Sequence, residues 1–108
     1  MESGLMTTKK TDRILAADIE TDGLLDTMTT VHCAVAKDIK SGEVFEYRPD
    51  EIEDFCELID GQVVIGHNFI NFDMAAINKW FDIQDYTGPY PQPKMIIDTL
   101  VMSRVLNP

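Results

Sequence analysis

Arg13-Ile14-Leu15-Ala16-Ala17-Asp18-Ile19-Glu20-Thr21-Asp22-Gly23 is the stretch on which the fold turns. Its apolar run reads as a central strand buried on both faces, and Asp22-Gly23 reads as the turn that follows. A carboxylate at the end of a buried run is costly unless something compensates it. Asp18 therefore points to a metal ion, to an ion pair, or to backbone amides at the strand's end. Asp18 and Glu20 are two residues apart, so in a strand both carboxylates leave on one face. Two hard oxygen donors suit Mg²⁺ or Mn²⁺. Acids at this spacing also occur at 20/22 and 51/53, so spacing alone is equally consistent with an ordinary acidic surface.

Outward from this strand, Val31–Ala36 and Glu43–Arg48 flank the turn-rich segment 38–42 as a hairpin. Pro49 closes the third strand, and Asp50 with Glu53 resembles a capping box opening a helix. Ile52, Phe55, Cys56 and Ile59 share one face of that helix, leaving its acids to water. Gln62–Gly66 is a short buried strand, and Phe72–Phe81 a helix with Phe72, Ala76 and Trp80 inward. Segment 83–93, with Gly88, Pro89, Pro91 and Pro93, reads as an extended surface loop. Lys94–Ile97 is the fifth strand, and Asp98 or Thr99 caps a last helix reaching about Leu106. The order βββαβαβα implies an α/β fold with a mixed five-stranded sheet and helices on its faces. Ligand chemistry in such sheets gathers at the carboxyl ends of the strands, an edge that both Asp18 and Asp73 can reach.

The chain's 108 residues are one domain's worth, and 44% hydrophobic with 26% charged residues is the balance of a globular protein rather than a disordered one. No apolar stretch approaches the roughly 20 residues of a membrane span. Residues 1–12 read as a flexible polar leader before a domain at 13–108, with Met6 an alternative start. The leader has no apolar core of a secretory signal. Cys33 and Cys56 form no metal or redox motif and are expected to be buried free thiols in a reducing compartment, the cytoplasm. A net charge of −10 excludes a cationic DNA-coating protein. Much of it is local, because eight acids between 43 and 60 stand against the single Arg48.

A second cluster, Gly66-His67-Asn68-Phe69-Ile70-Asn71-Phe72-Asp73, lies between a strand and a helix. Asp73 is either a third site carboxylate or a first-turn acid favoured by the helix dipole. His67 reads more readily as a hydrogen-bonding structural histidine than as a base.

Taken together, Asp18–Leu25 (DIETDGLL) and His67–Asp73 (HNFINFD) resemble the first two exonuclease motifs of the DEDD superfamily of 3′→5′ exonucleases. Val31-His32-Cys33, Tyr47-Arg48-Pro49 and Ile97-Asp98-Thr99-Leu100 extend the resemblance to the proofreading exonuclease domain of family A DNA polymerases from short-tailed phages. It covers residues 14–107 and implies an RNase H-like fold. By resemblance, Asp18, Glu20 and Asp73 are catalytic and bind two divalent ions, Mg²⁺ or Mn²⁺. The implied reaction is phosphodiester hydrolysis at the 3′ end of single-stranded DNA. Thr21, Leu24 and Leu25 would lie near the terminal nucleotide, Asn68 and Phe72 would help place the strand, and Asp98 would cap a helix.

The family's third motif supplies a fourth Asp and a Tyr or His that orients water, downstream of the IDTL segment. The sequence ends at Asn107-Pro108 before such a segment, which can reflect an engineered boundary, a natural split or a degenerate gene product. The resemblance therefore implies a chain that is weak or inactive alone, since loss of the water-orienting group costs about 10²–10⁴ in rate. The remainder of the exonuclease and polymerase is then an expected partner, in cis or as a separate chain. So is a second copy, docking on an uncovered apolar face around 94–106. A catalytically dead nucleic-acid-binding or polymerase-assembly module with the same fold is the alternative.

Overall fold

The computed structural model describes residues 11–106 apart from Thr87 and Pro89, with side chains to Arg104. The leader through Lys10, with Met6, lies outside the described residues. Five strands, β1 Ile14–Thr21, β2 Val31–Asp38, β3 Val44–Tyr47, β4 Val63–Gly66 and β5 Met95–Asp98, form one sheet in the order β3-β2-β1-β4-β5. β1 pairs antiparallel with β2 and β2 with β3, whereas β1–β4 and β4–β5 are parallel. The crossovers carry α1 Ile52–Ile59 and α2 Met74–Ile83, and α3 Thr99–Leu106 follows β5. This is the expected α/β architecture, a mixed five-stranded sheet in βββαβαβα order compatible with an RNase H-like fold.

The core lies on one side of the sheet. Leu15, Ala17 and Ile19 of β1, Ala34 and Ala36 of β2 and Val64 of β4 pack against Ile52, Phe55, Cys56 and Ile59 of α1 and Ile77, Trp80 and Phe81 of α2. The opposite face, with Ile14, Ala16, Val35, Val63, Ile65, Met95 and Ile97, is half-buried or exposed. The expectation of a first strand buried on both faces is corrected here. Among the described residues the helices cover one face only, and apolar residues on the other earn no burial from an unbroken hydrophobic run. Met95, Val101 and Met102 are exposed. Cys33, expected to be buried, is half-buried on the open face, whereas Cys56 is buried and its thiol is pushed up to about 12 by desolvation and then by Glu53. Among the described residues no helix is long and apolar enough to cross a membrane.

Two helix starts differ from expectation. The first helix opens one turn early, as a 3₁₀ turn at Pro49–Glu51, with the Arg48 amide donating to Glu51 Oε1 at 2.9 Å. Glu51 thus takes the capping role expected of Glu53, because Pro49 already sets the helical φ. The second helix is preceded by a π-helical turn at Phe69–Asp73, the wide turn that lets the Phe69 ring enter the core completely. That entry requires Gly66, where a Cβ would lie 2.6 Å from Phe69 Cδ1. Next to it, Asn68 adopts a left-handed backbone with φ 56°, a conformation that Asn tolerates better than most residues.

Gly66→Ala is therefore expected to cost about 1–3 kcal/mol through overpacking, read as a lower urea midpoint with an unchanged slope. An unchanged midpoint would mean that Phe69 moves aside freely. Asn68→Gly should leave the midpoint nearly unaltered, while Asn68→Val should lower it.

Candidate functional site

The parallel ladder between β1 and β4 runs only from Ile14–Val63 to Ala16–Ile65. Beyond it β1 continues without β4, so the Ile19 amide needs another acceptor. Asp73 supplies it: at the end of the π turn, its Oδ2 accepts from Ile19 N at 3.2 Å, a contact between residues 54 positions apart. Asp18 and Glu20 flank Ile19 and both face solvent, on the face opposite the helices. The three acids thus meet one short stretch of β1, two on its open face and one against its backbone.

Burial is distributed differently from the sequence expectation. Asp18 is exposed and needs no compensation, because its face of the sheet is uncovered. Asp73 is the buried acid, only 3% accessible. Its carboxyl is raised from 3.8 to about 7 by desolvation first, then by the charge of Asp18, with Asp98 and Glu20 adding to the repulsion and the Ile19 amide opposing it. A divalent cation beside these groups would reverse that repulsion, and hard carboxylate oxygens suit Mg²⁺ or Mn²⁺. The donor chemistry fits such ions. Among the described residues, however, no three His, Cys, Asp or Glu side chains are gathered into a ready metal centre.

Around the acids, the 22–30 loop is closely held. Asp22 accepts from Thr29 N at 2.8 Å, Thr30 N at 3.1 Å and the Thr29 hydroxyl, and these bonds, the hydroxyl foremost, lower its carboxyl to about 2. Thr21 donates its hydroxyl to Gly23 O at 2.6 Å, so its polar atom serves the turn. Leu25 packs on the core and its carbonyl accepts from Lys79 Nζ of α2, whereas Leu24 points to solvent at 76% exposure. Lys79 is a residue the sequence reading missed: nothing in the α2 pattern links it to a loop 54 residues away. Phe72 packs against the core, and the Asn68 amide donates to Asp98.

Asp98 does more than cap. Its Oδ1 accepts from Leu100 N at 3.0 Å and Val101 N at 3.4 Å, as expected for a helix start, and also from Asn68 N at 2.9 Å. Its Oδ2 accepts from Ile70 N at 3.1 Å. Burial opposes its charge, but these four amides together hold the carboxyl below the ordinary range. His67 Nδ1 lies 2.9 Å from Thr99 Oγ1, in keeping with a structural histidine.

Comparison with known proteins assigns the chain a class: it is similar to DNA-directed DNA polymerases of phages. Against the polymerase of Enterobacteria phage T3 it is 30% identical over 99 residues, and against that of Escherichia phage T7 29% over 99 residues. Each similarity covers 87% of this chain and 14% of the polymerase, so the chain spans about one-seventh of the length of these relatives. No protein-family model matches the chain.

The raised carboxyl of Asp73 fixes a pH dependence. The folded state keeps this proton up to about pH 7, the unfolded chain only to its ordinary value of 3.8. Stability from this group is thus full below about pH 4 and is lost as pH rises toward 7. With EDTA present, Asp73→Asn should be the more stable protein at pH 8, by roughly 2 kcal/mol, with the difference vanishing near pH 4. Equal pH profiles for the two proteins would show that Asp73 ionises normally.

Proposed function

We propose that this chain is a metal-dependent 3′→5′ exonuclease module of a phage-type DNA polymerase, which removes nucleotides from the 3′ end of single-stranded DNA. The observation that carries the reading is the pair Asp18 and Glu20 on the open face of β1 with Asp73 bound to the amide between them. Similarity to phage DNA polymerases over most of the chain supports it.

In this reading Asp18, Glu20 and Asp73 hold two Mg²⁺ or Mn²⁺ ions. When bound, the ions supply an activated water and charge stabilisation for the leaving 3′-oxygen. The chain's own residues do the rest. Leu24, exposed at the loop tip, offers an apolar contact to the terminal base, and Thr21 and Leu25 set the loop that presents it. Asn68 and Phe72, in the turn that delivers Asp73, help place the strand. The acidic surface of residues 43–60 does not conflict with this task, because a few nucleotides at a metal site need no broad basic face. The module acts with the remainder of the exonuclease and polymerase, in cis or as a separate chain, in the cytoplasm of a bacterial host.

The absence, among the described residues, of a ready three-ligand centre favours one competing reading. This is a non-catalytic nucleic-acid-binding or polymerase-assembly module. Two measurements separate them. Mn²⁺ binding followed by electron paramagnetic resonance should weaken at least about tenfold in Asp18→Ala and in Asp73→Ala. Joined to the remainder of the polymerase, the chain should remove labelled 3′ nucleotides stepwise with Mg²⁺, and Asp18→Ala should abolish this. Full activity in Asp18→Ala would make the site assignment wrong. DNA binding that survives the substitution, with hydrolysis under no condition, would establish the competing reading.

A further inference from the structure

At the edge where the parallel strands begin, opposite the carboxylate site, α1 and the segment after α2 flank an open cleft of about 280 Å³. Its walls are of two kinds. Glu53, Glu57 and Asp60 line it from α1 and its end, and Phe81, Tyr86 and Tyr90 line it from the other side. The three rings are stacked, Phe81 to Tyr86 at 4.2 Å, Phe81 to Tyr90 at 5.6 Å and Tyr86 to Tyr90 at 6.2 Å, all within 21° of parallel. The stack is held in place. The Tyr90 hydroxyl donates to Asp82, and the next residues are pinned to α1 through Gln92 N to Asp60 Oδ1 at 2.8 Å and Gly61 N to Gln92 O at 3.0 Å.

Phe81 is closed off within the stack, which leaves Tyr86 and Tyr90 as the rings beside the carboxylates. Aromatic rings with carboxylates in one cleft are the combination that attracts an organic cation, by ring quadrupole and by charge. The size is at the low end for small-molecule pockets, which begin at about 300 Å³, and suits one long side chain. Of the cationic side chains, arginine matches best: its planar guanidinium stacks on rings, forks onto carboxylates and is less strongly hydrated than an ammonium. The charge of the surroundings agrees, since α1 and its approaches carry most of the chain's net −10. We infer that this cleft is a docking site for an arginine side chain presented by a basic segment of a partner protein. The site is independent of the nuclease reading and would stand if that reading fell.

The test uses the full chain and a minimal probe, acetyl-arginine methylamide, titrated by ¹⁵N–¹H NMR at low salt. Shifts should concentrate at 53–60 and 81–92, with a dissociation constant on the order of 1 mM. Acetyl-citrulline methylamide, the neutral counterpart, should produce no saturable shifts there. Tyr90→Ala, which leaves the charge unchanged, should weaken binding about threefold to fivefold. Tyr90→Phe keeps the ring and gives up only the bond to Asp82, so it should bind more tightly than Tyr90→Ala, and equal losses in the two would assign the effect to the loop rather than to the ring and overturn the assignment. Glu46→Gln, on the open face of the sheet, should be neutral. Shifts spread over the whole acidic surface, equal binding by citrulline, or binding of choline in place of the arginine probe would each overturn the assignment.

Discussion

The carboxylate of Asp98 sits where three pieces of chain end or begin, and it accepts backbone amides from two of them. Asn68 and Ile70 come from the turn after β4, Leu100 and Val101 from the first turn of α3. All four donors would otherwise be orphans, two at a helix start and two in a segment that has left the sheet. One buried anion therefore fixes the path of the chain out of β4, and that path decides where the π turn delivers Asp73. The acid assigned a capping role is thus also the reason that the buried acid of the candidate site lies against β1. Gly66 and the left-handed Asn68 serve the same passage, the one by admitting the Phe69 ring and the other by turning the backbone.

Much of this was legible in the sequence because it is local. The spacing of Asp18 and Glu20 dictates a common face, the periodicity of Ile52, Phe55, Cys56 and Ile59 dictates the inward side of α1, and Asp98 before Thr99 announces a helix start. The hairpin and the two crossovers follow from turn residues and strand lengths. What the sequence did not show is set by distant parts of the chain. An apolar run such as Ile14–Ala17 is the same whether one face of its strand or both are covered, so the exposure of Asp18 could not be read from it. The π turn is invisible because hydrophobic spacing over five residues does not distinguish it from an α-helical turn. Lys79 on the carbonyl of Leu25 has no sequence signal, since the acceptor is a backbone group that any residue could supply.

Charge is separated along the molecule in a way that frames both sites. At the carboxyl ends of the parallel strands, the charges of Asp18, Asp98 and Glu20 add to the burial that raises the carboxyl of Asp73, a repulsion that cations would relieve. At the other end, acids line a cleft against stacked rings and are spread over a helix surface, where one aromatic wall gives them direction. In the two proposed sites the same residue type would serve two kinds of recognition, one by hard inorganic charge and one by a soft planar cation. The difference lies in what the carboxylates are packed against.

The sheet joins two halves of unequal contact range. Strands β1 to β3 pair through neighbouring connections, whereas Ile14 pairs with Val63 and Ile19 N meets Asp73 across separations of about fifty residues. Loop closure of that length is slow relative to hairpin formation, which favours assembly of the antiparallel half ahead of the parallel half. On that order the acidic strand would be solvated and half-paired before its buried partner arrives. The contact of Asp73 with the Ile19 amide belongs to the parallel half, so a chain halted at the hairpin stage would expose an acid pair without the buried acid that lies against it.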